Sequence, residues 1–142
     1  MARDSYTYSA LLFTLTLFTA FGCGRSDLPE LAPVTGTVTI DGKPYANGFV
    51  QFYSQSGGRP GTSSTDENGK YEIQYLQGEK GARVGMNRVE ISTEWPDGEP
   101  PIGEKDPIGE EYNSKSTLTA DVKDENNVFD FNLVSKKDAP KK

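Results

Sequence analysis
The chain has 142 residues, of which 25% are charged and 34% hydrophobic, with a net charge of −6 and no histidine. That length suits one domain with accessory segments, and the acidic balance argues against binding a phosphate backbone. Without histidine the chain lacks the usual general base, the usual metal ligand and the usual pH switch.

Residues 1–9, "MARDSYTYS", are short and polar. Ala10 to Phe21 is apolar apart from Thr14, Thr16 and Thr19. That run is apolar all round and shorter than the ~20 residues needed to span a bilayer. It reads as the helical core of a secretory signal peptide over 1–22. Small residues follow and end at Gly22-Cys23, the only cysteine of the chain. "TAFGC" (19–23) resembles the lipobox of bacterial lipoproteins, in which a small residue precedes an acylated cysteine. Gly22 fits that pattern; Ala20 stands where the family most often has Leu, and Phe21 where it prefers a small residue. The resemblance implies cleavage between Gly22 and Cys23, with a diacylglyceryl thioether and an N-acyl chain (palmitate or similar) on Cys23. Each buried CH₂ contributes about 0.8 kcal/mol, so several chains make a stable membrane anchor where one would not. The implied location is extracytoplasmic and lipid-anchored. Gly24 in place of Asp favours the outer membrane if the cell has two. Residues 23–33, charged and proline-bearing, are expected to be a tether.

From Val34 the pattern alternates with period 2. Runs at 34–40, 49–54, 70–75, 87–93, 116–122 and 127–134 each carry one apolar face, and 62–65 is a short polar candidate. "DGKPYANG" and "DENG" supply turn residues, and "LQGEKGARVG" (76–85) reads as a connection. One-faced strands bury those faces by packing two sheets together. The expected fold is all-β: an antiparallel two-sheet β-sandwich of about seven strands over 34–135, followed by a basic tail over 136–142.

The pieces "VTGTVTIDGKPYANGFVQF" (34–52), "TDENGKYEI" (65–73) and "VGMNRVEIS" (84–92) come in the order of the carboxypeptidase regulatory-like domain, a transthyretin-like (prealbumin-like) sandwich, and are similar to it. The resemblance covers nearly all of the expected mature chain, with the domain itself over 34–135. It implies an accessory, non-catalytic domain.

No nucleophile motif such as G-x-S-x-G or S-x-x-K is present. Acidic residues are plentiful, but nothing in the sequence marks two of them as a catalytic pair, so no enzyme, cofactor or metal is expected. The oxygens of Asp66, Glu67 and Asn68 lack the spacing of a calcium loop and read as a hairpin turn. The segment Trp95 to Glu111, "WPDGEPPIGEKDPIGEE", is the least ordinary stretch. It has four prolines, six acidic groups and one lysine, and it repeats Pro-Ile-Gly-Glu at 101–104 and 107–110. A loop this long is commonly functional or disordered. Trp95 and Tyr112 at its ends are the candidate ligand-contacting residues. Trp95 suits stacking on a sugar or peptide or capping the open end of the sandwich; Tyr112 returns the chain to the core. The expected function is a lipid-anchored binding or structural module of the cell envelope, with membrane lipid, an envelope protein or a glycan as partner and no nucleic acid. The rivals are a carbohydrate-binding module, with Trp95 and Tyr45 or Tyr53 as platform, and a carboxylate-based hydrolase.

Overall fold
The computed structural model of the chain describes residues 28–136. The expected signal segment, Gly22, Cys23 and the tail beyond Lys136 lie outside the described residues.

Thirteen strands follow one another: β1 (Leu31–Ala32), β2 (Val34–Ile40), β3 (Lys43–Pro44), β4 (Gly48–Ser54), β5 (Gly61–Ser64), β6 (Lys70–Glu72), β7 (Gln74–Leu76), β8 (Glu79–Lys80), β9 (Ala82–Arg83), β10 (Gly85–Thr93), β11 (Thr119–Val122), β12 (Asn127–Val128) and β13 (Phe131–Leu133). Among the described residues a single 3₁₀ turn, Glu110–Tyr112, precedes β11. One sheet is antiparallel in the order β11-β10-β4-β5-β7-β8. A second is built around β2, with β12 and β13 on one side and β3 and β6 on the other, and β1 and β9 form a separate two-stranded sheet.

The period-2 alternation explains which faces meet. Val34, Val38, Val50, Phe52, Tyr71, Val89, Ile91, Ala120 and Val122 are buried, and their chain neighbours are not. The sheets join through aromatic rings. The Phe52 ring on β4 lies 6.0–6.5 Å from those of Tyr71, Phe129 and Phe131 in the facing sheet. Each such pair adds about 0.5–1.5 kcal/mol beyond the area it buries. The fold is the β-sandwich expected from the alternation.

Four local expectations change. The run 70–75 is two strands: β6 pairs with β2, and β7 pairs with β5 in the other sheet. Tyr71, Ile73 and Tyr75 still point inward, so the chain changes sheets at Ile73 without losing its apolar face. The run 127–134 pairs with β2 in parallel, not antiparallel, and breaks between β12 and β13. At the break the Phe129 carbonyl turns inward and accepts the Tyr71 hydroxyl at 2.6 Å. The Asp130 carboxylate accepts the Thr37 amide at 2.8 Å. A Cβ at Gly36 would overlap the Phe129 oxygen, so only glycine fits beneath that turned carbonyl. The connection 76–85 carries β8 and β9. Finally, part of the expected tether is folded: β1 pairs with β9, and Ala32 is 1% exposed. The folded body therefore begins at Leu31, not Val34.

This topology gives the sandwich two distinct poles. The chain enters at β1, beside β9 and the start of β2. β2 then runs seven residues to Ile40, roughly 20 Å at 3.3 Å per residue. At that far pole lie the β2–β3 turn, the start of β4, the end of β10 and the end of β13.

Candidate functional site
The far pole holds a cleft of about 1240 Å³. Its first wall grows from the β2–β3 turn, where Asp41 (φ 52) and Gly42 (φ 78) take the left-handed conformation of a tight hairpin. The chain then passes through Tyr45 to Asn47 into β4. Tyr45 is pinned at its backbone: its amide donates to Val38 O at 2.9 Å, and its carbonyl accepts the Thr65 hydroxyl at 2.6 Å. The buried Thr65 hydroxyl also accepts the Gly48 amide at 2.8 Å, fixing where β4 starts.

The second wall is the long loop after β10. β11 covers β10 only from Gly85 to Arg88. Beyond that the loop takes over: Val89 N donates to Leu118 O at 2.9 Å, and the Ser116 hydroxyl donates to Val89 O at 2.5 Å. Asp106 locks the loop down. Its Oδ1 accepts the Thr93 hydroxyl at 2.6 Å and the Ile108 amide at 2.9 Å. Ile108 then enters the core, 2% exposed. Since Thr93 donates to Asp106, it accepts from the Tyr45 hydroxyl at 2.7 Å. A directed chain, Tyr45 to Thr93 to Asp106, thus ties the two walls together.

The third wall is the irregular segment following β13. Ser135 N donates to Asp41 Oδ1 at 2.9 Å, and Lys136 N to Pro107 O at 3.2 Å. The hydrogen bonds from Ser135 hold the Asp41 carboxyl below the usual range, with Lys43 adding a smaller electrostatic effect. Burial raises the Tyr45 phenol, the Thr93 hydrogen bond opposes this, and the Asp106 charge reinforces it. Tyr45 is therefore a neutral donor at physiological pH.

Trp95 is half-buried and lines this cleft as well as a shallow neighbour of about 320 Å³ beside Phe49 and Gly98. Of the two tyrosines considered with it, Tyr45 shares the cleft. Tyr53 does not: it pairs with Arg88 across β4 and β10, and that guanidinium carbon lies 5.0 Å from its ring centroid. Tyr112 is not in the cleft either. It packs against the core, and its hydroxyl accepts the Val134 amide at 3.2 Å. Thr93 and Asp106 were not singled out in the sequence; the one available signal was an Asp immediately before the second Pro-Ile-Gly-Glu.

Among the described residues no group of three or more His, Cys, Asp or Glu side chains is arranged to hold a metal ion. The "DENG" hairpin spends its side-chain oxygen on the backbone: Asp66 Oδ1 accepts the Asn68 and Lys70 amides at 2.8 and 2.9 Å. In the cleft, Asp106 is engaged by Thr93 and Ile108 and acts as a buttress. What remains for a ligand is two aromatic side chains, the Asn47 amide, the carboxylates of Glu94 and Glu104, and the ammonium groups of Lys105 and Lys136.

No family model matches the chain, and no curated protein matches it. Among solved structures it is similar to a DUF3823 family protein from Parabacteroides merdae, at 13% identity and a TM-score of 0.46. The match covers 76% of this chain and 48% of that one, so the chain spans about half the length of that protein.

Proposed function
We propose that this chain is a non-catalytic binding module of the cell envelope, held at the extracytoplasmic face of a membrane by lipid on Cys23. In this reading the outer membrane is the site in a cell with two membranes, and an envelope protein or glycan is the partner. The observation that carries it is the placement of the two ends. The chain enters the sandwich at β1, and the cleft opens at the opposite pole. Residues 24–30 separate Cys23 from the first strand and reach at most roughly 25 Å. An anchor at Cys23 would hold the sandwich close to the bilayer and turn the cleft away from it. The likeness of 34–92 to the carboxypeptidase regulatory-like domain supports an accessory role.

The test is to express the full chain in a bacterium that processes lipoproteins, fractionate it, and weigh the mature terminus. The expected result is a membrane-bound chain starting at an acylated Cys23, and release of Cys23→Ser from the membrane. An uncut, acyl-free chain in the aqueous fraction would contradict it.

A second reading, a carbohydrate-binding module, is favoured by Trp95 and Tyr45 lining one cleft. Glycan-array binding lost in Trp95→Ala would support it; an array with no binding at all would sink it.

A further inference from the structure
We propose that the cleft takes a cationic ligand: a short extended peptide segment whose lysine or arginine end group sits against Trp95 and Tyr45. This rests on the reading of the cleft as the binding site and names the chemistry it selects.

Charge is the first ground. Asp41, Glu94, Glu104 and Asp106 line the cleft against Lys105 and Lys136, four carboxylates to two ammonium groups. A concave surface with that excess concentrates a negative potential, which attracts cations and repels anions. The second ground is how these carboxylates are left. Four acids outside the cleft are ion-paired: Glu72 with Lys80, Glu90 with Arg88, Glu110 with Lys115, Asp121 with Lys123. Glu94 and Glu104 have no side-chain partner among the described residues.

Aromatic chemistry is the third ground. A cation over an indole gains about 0.5–1 kcal/mol when exposed and about 2 when desolvated. The chain already sets guanidinium groups on tyrosines, Arg88 on Tyr53 at 5.0 Å and Arg59 on Tyr75 at 6.0 Å. Trp95, the better platform of the two residue types, has no cation over it among the described residues. Size is the fourth. A volume of about 1240 Å³ exceeds what one side chain fills and admits several residues of an extended segment.

Trp95 is the only tryptophan, so its fluorescence reports on the cleft and the shallow hollow beside it, and the Glu94 and Glu104 variants assign the signal to the cleft. The full chain is titrated with blocked tetralysine, with the same peptide acetylated on every side chain, and with a neutral cello-oligosaccharide. The proposal expects a saturable change with tetralysine. Its affinity should fall about tenfold or more on acetylation, and again when salt rises from about 0.05 M to about 0.3 M. Glu94→Gln/Glu104→Gln should weaken binding about tenfold with an unchanged melting temperature, since both side chains lie at the surface. Equal binding of the charged and acetylated peptides, or saturation by the oligosaccharide alone, would overturn the cationic ligand and leave the cleft as the site. No response to any probe would overturn both.

Discussion
Pro-Ile-Gly-Glu occurs twice, six residues apart, and the two copies meet opposite fates. Ile102 of the first is wholly exposed, and Ile108 of the second is 2% exposed. The first closes on itself: Glu104 N donates to Pro101 O at 2.9 Å, with Gly103 at φ 90, a turn that requires positive φ at its third residue. The second stays open. Gly109 is extended at φ −72 and ψ 157 and leads into the 3₁₀ turn, while Glu110 pairs with Lys115 at 2.5 Å. The tetrapeptides are identical, so their context decides. Asp106 precedes the second copy and Pro100 the first. Only the aspartate can take the Thr93 hydroxyl and the Ile108 amide together. A polar clamp, and not the apolar side chain itself, selects which isoleucine is buried.

Four substitutions break or sharpen that contrast. The largest effect belongs to Ile108→Ala, which removes a buried branched side chain and should cost about 2–4 kcal/mol in denaturant unfolding. Next is Asp106→Ala, which leaves the Thr93 and Ile108 donors without their acceptor and should cost about 1–3 kcal/mol. It should also make Trp95 more accessible to acrylamide, because the loop that walls the cleft loses its clamp.

A smaller effect comes from Lys115→Ala and depends on pH. The hydrogen bond and charge of Lys115 hold the Glu110 carboxyl below its ordinary range, and Glu110 in turn raises Lys115. A lowered acid stabilises the fold above its unfolded value and loses that contribution as pH falls through its folded value. A raised lysine loses its contribution as pH rises through its folded value. Wild type should therefore melt slightly above the variant near neutrality, and the gap should close in acid, in strong base and in high salt. The smallest effect is Ile102→Ala, expected within about 0.5 kcal/mol of wild type. A loss there equal to that of Ile108→Ala would mean the two copies exchange places.

The strand faces were legible in the sequence because alternation is local: Val50 and Phe52, or Val89 and Ile91, need only their neighbours to declare a buried side. Partnership was not legible. Nothing around Ile73 says that Tyr71 and Tyr75 belong to different sheets, since both sheets bury the same side of that segment. The parallel pairing of the last strands depends on Gly36 admitting the Phe129 carbonyl, a contact 93 residues apart. Leu31–Ala32 looked like tether because two residues carry no period, and β9 supplies the partner that makes them a strand. In the site, Trp95 announced itself by lying beside an uncommon loop. The choice of Tyr45 over Tyr53 required knowing that Thr93 stands at the same pole.

The most direct test of the docked second copy, and so of the cleft wall, is amide hydrogen exchange read at Ile102 and Ile108 in one sample. The Ile108 amide donates to Asp106 Oδ1 beneath a buried side chain, and it should exchange slowly, as core positions do. The Ile102 amide should exchange near the unfolded-chain rate. Fast exchange at both positions would mean that the wall does not form, and the cleft would go with it.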